Sequence, residues 1–183
     1  MKEEIVKLLE STNRPGISDL IESMTDTGYF TAPASTRFHG AKEGALAEHS
    51  LNVYDCACKL AKAWMGSKWL KEHEDSIIIC AILHDLGKCG QFDIPLYVPN
   101  ILKSGQSEAQ PYKTNPELIT LPHEVVSVIE ATKYIDLTPE EQRAIAWHNG
   151  LYGCFKYDIQ GKEDELYMII HVADRWGSRV VEK

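Results

Sequence analysis

The chain has no apolar run approaching the length of a bilayer span, and its acidic start, MKEEIVKLLE, is no signal peptide. A cytoplasmic protein without a membrane partner is therefore expected. Disulfide scaffolding is lacking too. The five cysteines, at 56, 58, 80, 89 and 154, are odd in number and contain no C-x-x-C pair, which suits reduced thiols in a reducing compartment. Cys56, Cys58 and Cys80 fall in helical apolar patterns and read as small core residues. Positive charge is in deficit: the formal net charge is −8, which argues against bulk attraction to duplex DNA or an anionic membrane. Nucleic acid is left only a local basic groove. No β-type alternation extends for any length, and there is neither an internal repeat nor a low-complexity tract.

What is present is ordinary globular composition, 44% hydrophobic and 25% charged over 183 residues, enough for one domain with a real core. The organising stretch is residues 75–88, DSIIICAILHDLGK. Its unbroken apolar run, residues 77–83, predicts a helix buried on every side. Gly87 is placed to stop that helix, as a glycine just past a helix end commonly does. Burying His84 and Asp85 at its end is costly unless something pairs with both, and a divalent cation would. The carbonyl end of a helix also tolerates positive charge.

The other elements are helical. Residues 3–10 and 17–24 read as short helices separated by Asn13-Arg14-Pro15-Gly16, a helical appendage within residues 1–30. Residues 25–43 form an irregular connection tipped by Arg37, Phe38 and His39. Residues 45–65 make an amphipathic helix whose apolar stripe, Leu46, Val53, Ala57, Leu60 and Trp64, includes His49. Residues 90–121, rich in proline, glycine, serine, asparagine and glutamine, read as a flap-like insertion. Pro122-His123 opens the next helix, with Val125, Val128, Ile129 and Thr132 on one face. Thr138-Pro139 and Glu141 form a capping box for a helix that reaches His148 and stops at Asn149-Gly150. The last helix, about 164–181, puts His171 and Asp174 on a face shared with apolar residues. The result is a single all-α domain over residues 1–183.

Core-directed polar positions are then His49, His84, Asp85, His123, His148 and Asp174. Six groups on five helices, each spending desolvation energy separately, are better explained by one shared cause. Imidazole and carboxylate donors without thiolates suit first-row divalent ions, and neutral imidazole and carboxylate are available near neutral pH. Six ligands exceed one tetrahedral zinc, which points to two metals sharing a carboxylate.

The order His49, His84-Asp85, Asp174 resembles the H…HD…D signature of the HD superfamily of metal-dependent phosphohydrolases. HDLGK, residues 84–88, is similar to that family's central motif, and His123 and His148 match the subgroup whose two extra histidines bind a second metal. The resemblance spans residues 36–178 and implies a helical bundle around a metal site. FHGAKEGALAEHSLNV also resembles the start of small bacterial and phage HD hydrolases and of HD-type exoribonucleases. The HD-GYP signature of cyclic dinucleotide phosphodiesterases is absent.

The resemblance implies that His49, His84, Asp85 and Asp174 hold a first metal, with Asp85 bridging to a second held by His123 and His148. The expected ions are iron or manganese, with zinc, nickel, cobalt or magnesium as substitutes. Asp85 and Lys88 would serve catalysis, and Lys88, His39 and Arg37 would bind the substrate, a small phosphoester or nucleotide cleaved as a mono- or diester. Glu48, Asn52 and Ser178 are candidates for orienting ligands, His171 for a structural hydrogen bond, and His73 for a solvent-exposed position. Two alternatives stay open at this stage: a diiron oxygenase using the same ligand order, and a metal- or nucleotide-binding module without turnover.

Overall fold

A computed structural model of the chain describes residues 1–37 and 40–182. Among the described residues, the α-helices are α1 (Lys2–Ser11), α2 (Ile17–Asp26), α3 (Ala45–Trp64), α4 (Ser67–Leu83), α5 (His123–Thr132), α6 (Pro139–Trp147) and α7 (Glu165–Trp176). A 3₁₀ turn, Leu86–Cys89, follows α4, and a π-helical turn, Gly177–Val181, follows α7. The chain is all-α, as its periodicity indicated, with two small β-ribbons in the insertion. There β1 (Tyr97–Pro99) pairs antiparallel with β4 (Tyr112–Thr114), and β2 (Ile101–Leu102) with β3 (Gly105–Gln106).

α4 is the axis of the molecule. It begins at Ser67, well before Asp75, so its first half is a polar surface helix and its second half the expected buried one. Every residue from Ile77 to Leu83 is buried. Burying each large aliphatic side chain contributes roughly 1.5–3 kcal/mol. That run therefore anchors the chain in the interior and carries the residues after it there as well. α3 packs against α4 and α7, and α6 packs on α7 and α4. From the first thirty residues Ile5, Leu9, Leu20, Met24 and Tyr29 enter the same core. The Tyr29 hydroxyl, fully buried, lies 2.8 Å from the Ile82 carbonyl and 2.6 Å from Ser50 Oγ, tying this segment to both central helices.

The capping box of α6 is formed as expected: Thr138 Oγ1 accepts from the Glu141 N–H, and the Glu141 carboxylate accepts from the Thr138 N–H. Glu141 also takes Arg14 in two bonds of 2.6 and 2.7 Å, plus the Ser76 hydroxyl at 2.8 Å. One carboxylate thus joins the α1–α2 connection, α4 and α6.

Two stripes differ from the expectation. On α5 the buried residues are Glu124, Val126, Ser127 and Ala131, while Ile129 is 38% exposed. The inner side of this helix carries polar groups with partners, so apolar residues alone mark the wrong face. On α3, Trp64 is 52% exposed at the helix end, outside the core that Val53 and Ala57 enter. His73 is half-buried rather than exposed, its ring stacked on Trp69 with centroids 4.0 Å apart.

Candidate metal centre

α4 delivers His84 and Asp85 to the middle of the bundle, where both are essentially without solvent contact. The backbone must then turn beneath α5. A Cβ on Gly87 would lie 2.3 Å from the His123 carbonyl oxygen and 2.8 Å from Val126 Cβ. Gly87 also donates its N–H to Ser127 Oγ at 2.9 Å. This glycine is therefore present for close approach to α5. It does not adopt the left-handed conformation of a helix cap, and the 3₁₀ turn runs through it. The tight packing places the first residue of α5, His123, over Asp85.

The six expected side chains converge. His49 Nε2 lies 3.1 Å from Asp174 Oδ1, 3.6 Å from Asp85 Oδ2 and 3.2 Å from His84 Nε2. His84 Nε2 is 3.3 Å from Asp85 Oδ2. On the other side of that carboxylate, His123 Nε2 and His148 Nε2 stand 3.2 and 3.4 Å from Oδ1. Each imidazole turns its other nitrogen to an oxygen. His84 Nδ1 faces the Ala81 carbonyl at 2.9 Å and His148 Nδ1 the Ile145 carbonyl at 2.7 Å. His49 Nδ1 faces Glu182 Oε1 at 2.9 Å and His123 Nδ1 faces Glu124 Oε2 at 3.2 Å. With Nδ1 carrying the hydrogen, all four Nε2 lone pairs point inward at carboxylate oxygens and at one another. Acceptors outnumber donors there, the Asn149 amide and the Lys88 ammonium being the donors at hand, and the arrangement favours positive charge among them.

A divalent cation fits the donor set. Asp85 Oδ1 is buried and accepts no hydrogen bond among the described residues, which is costly for a carboxylate oxygen that nothing else satisfies. Two groups have ligand atoms close enough to share an ion: His49 with His84 and Asp174, and His84 with Asp85 and His148, each within 4.8 Å of one another.

The electrostatics of the protein alone show the same demand. Burial opposes the charge on Asp85, yet Lys88 and the surrounding imidazoles hold its carboxyl well below the usual carboxylate range. Burial likewise disfavours a charged His49, but Asp174 and Glu182 outweigh it and raise this imidazole to about 10. His49 pulls Asp174 down in return, again against burial. Lys88, only 16% exposed, places Nζ 2.6 Å from Asp85 Oδ2, and the carboxylate raises it despite burial. It is not a solvated helix-end lysine.

The outer residues divide. Asn52 donates to Glu182 Oε1 at 3.0 Å. Glu48 pairs with Lys42 at the surface, and the Ser178 hydroxyl turns to the Arg175 carbonyl. His171 is the structural hydrogen-bonder expected, its Nδ1 2.7 Å from the His148 carbonyl. Arg37 is exposed and donates through Nε and Nη2 to Gln110 Oε1 at 3.1 and 2.8 Å, linking its loop to the insertion. His39 lies outside the described residues. A separate surface cleft of about 690 Å³, bordered by Asp19, Asp26, Asp93 and Glu130, includes none of the six converging residues.

Four contributors were not visible in the sequence pattern. Glu182 and Glu124 hold ring nitrogens, as described. Asn149, expected only to end α6, sets its amide nitrogen 3.1 Å from His148 Nε2 and 3.3 Å from His123 Nε2. Tyr97, on β1, has its phenol raised by burial, with Lys88 opposing and Asp85 adding to the effect. Only Asn149 carried a usable signal, its position beside His148.

The family model for the HD domain matches residues 46–175, which takes in all six converging residues, and the chain belongs to the HD domain family. HD domains bind divalent metals, and the clustered histidines and aspartates supply groups that can hold one. A dihydroneopterin 2′,3′-cyclic phosphate phosphodiesterase of Methanocaldococcus jannaschii is 26% identical over 182 residues, covering 98% of this chain and 64% of the relative. The chain thus spans just under two thirds of that relative's length. No solved structure matches the chain. No helix among the described residues is long and apolar enough to cross a membrane.

Proposed function

We propose that this chain is a metal-dependent phosphohydrolase cleaving a small-molecule phosphoester, with two divalent cations, iron or manganese, on either side of Asp85. The observation that carries the reading is the buried carboxylate of Asp85, with imidazole Nε2 atoms on both of its oxygens and Oδ1 otherwise unsatisfied. His49, His84, Asp85 and Asp174 would hold one cation. His123, His148 and Asp85 would hold the other.

Bound there, divalent ions lower the pKa of water and polarise phosphoryl oxygens. The chain's own residues supply the remainder. The Nδ1 bonds of the four histidines fix the rings, so little reorganisation is left at the moment of reaction. Lys88, whose ammonium lies 2.6 Å from Asp85 Oδ2, would neutralise phosphate charge as it builds toward the transition state. Residues 90–121, fastened to Arg37 through Gln110, serve as the flap that shapes the pocket.

The M. jannaschii relative is named for a cyclic phosphate diester of a small molecule. This supports a phosphodiester, cyclic ones included, as the substrate class to try first. The test is a panel of cyclic phosphodiesters, nucleotides and phosphomonoesters incubated with Mn²⁺- or Fe²⁺-loaded protein. Cleavage of at least one compound, abolished by Asp85→Asn, is expected. Inertness across the panel would overturn the hydrolase reading, and oxygen uptake without phosphoester cleavage would establish the oxygenase alternative.

A further inference from the structure

Three of the four inward-pointing histidines find the partner for Nδ1 close by in sequence. His84 and His148 sit at helix C-ends, where the last carbonyls lack the regular partner four residues on, and each ring takes the carbonyl three residues back. His123 uses its neighbour, Glu124. His49 has neither option. It lies within α3, where the carbonyls are engaged by the helix itself, so its ring must find an acceptor elsewhere.

That acceptor is Glu182, 133 positions away, with Oε1 2.9 Å from Nδ1. The same oxygen takes the Asn52 amide at 3.0 Å, and the Glu182 side chain is only 10% exposed. Asp174, on the same C-terminal helical arm, faces the other nitrogen of the ring at 3.1 Å. In a continuous α-helix, positions 174 and 182 would stand about 80° apart around the axis. The π-helical turn Gly177–Val181, closed by the Glu182 N–H on the Gly177 carbonyl at 3.0 Å, winds more widely and lessens that angle. The turn runs close to the ring: a Cβ on Gly177 would be in ordinary contact with His49 Cε1 at 3.9 Å. The arm thus grips one imidazole at both nitrogens.

We propose that Glu182 is a positioning residue of the metal centre, whose carboxylate keeps the hydrogen of His49 on Nδ1 and aims Nε2 at the cation, with Asn52 holding the carboxylate in place. The proposal rests on the metal-centre reading, not on the identity of the substrate.

The experiment compares the full chain with Glu182→Ala, Glu182→Gln and Asn52→Ala. It measures Zn²⁺ affinity by chelator competition, the imidazole nitrogens of the Zn²⁺-loaded protein by ¹⁵N NMR, and cleavage of the phosphoester panel. Glu182→Ala should weaken Zn²⁺ by about 10–100-fold and disturb the His49 nitrogen signals. Glu182→Gln, whose amide oxygen still accepts from Nδ1–H, should keep most of the affinity and the wild-type signals, and circular dichroism should show every variant folded. Wild-type affinity and unchanged His49 signals in Glu182→Ala would overturn the proposal, as would equal losses in the alanine and glutamine variants. Tight Zn²⁺ binding lost in Glu182→Ala, beside wild-type inertness on the panel with Mn²⁺ or Fe²⁺, would sink the hydrolase reading while leaving this one standing.

Discussion

The Nε2 atoms of His49 and His84 face each other across 3.2 Å, deep in the bundle, while each ring spends its Nδ1 on an oxygen. Two nitrogen lone pairs at that separation need a proton or a cation between them, and Asp85 and Asp174 surround the pair with negative charge. A divalent ion should therefore stabilise the fold as a ligand of the native state. At a free concentration of 100 times the dissociation constant the gain is about 2.7 kcal/mol. Unfolding scans with Mn²⁺ and with EDTA check this. The metal should raise the midpoint by roughly 5–10 °C for a chain of this size.

Asp85 and Lys88 are in contact at 2.6 Å but should fail differently when changed. Asp85→Asn removes the charge shared by both halves of the centre, so metal binding and turnover should disappear together. Lys88→Met leaves the histidines and aspartates in place. It should retain metal affinity and lower kcat by about 10²–10³-fold, the scale of losing one electrostatic contact to the transition state. Metal titration and steady-state kinetics on both variants separate the two roles.

Much of this was legible in the sequence because helices make side-chain direction periodic. His49 falls in the α3 stripe, and the run ending at Leu83 drives His84 and Asp85 inward, as the structure shows. The α6 capping box was readable because its signals are local. What was not legible depends on contacts distant in sequence. Glu182 reaches His49 through a π-helical turn that no periodicity announces. The polar inner side of α5 exists because Ser127 and Glu124 bond to Gly87 and to the Cys154 N–H across the bundle. Pattern alone therefore chose Ile129 in their place.

Gly87→Ala tests that seam. Its methyl would overlap the His123 carbonyl, so the 3₁₀ turn and α5 must move apart. A loss of about 1–3 kcal/mol in urea unfolding is expected, as for other overpacked sites. Displacing His123 should also weaken the second cation more than the first, which a two-site metal titration would resolve.

Acid sensitivity should arise at Glu141. Burial opposes its charge, but Arg14, the Thr138 N–H and Ser76 prevail and hold its carboxyl below the ordinary value of 4.5. A depressed folded pKa means that the stabilisation is present above the unfolded value and is lost as pH falls through the folded one. Chemical denaturation from pH 7 to pH 3 should show stability falling below about pH 4.5. Glu141→Gln should be less stable by about 1.5–3 kcal/mol at pH 7 and show a shallower fall in acid.

The most direct test of the centre is an anomalous difference map from crystals of the full chain grown with Mn²⁺ and recorded where manganese scatters anomalously. Two peaks flanking Asp85 are predicted, one among His49, His84 and Asp174, the other beside His123 and His148. A map with no peak within bonding distance of these residues, from protein otherwise folded as described, would contradict the account.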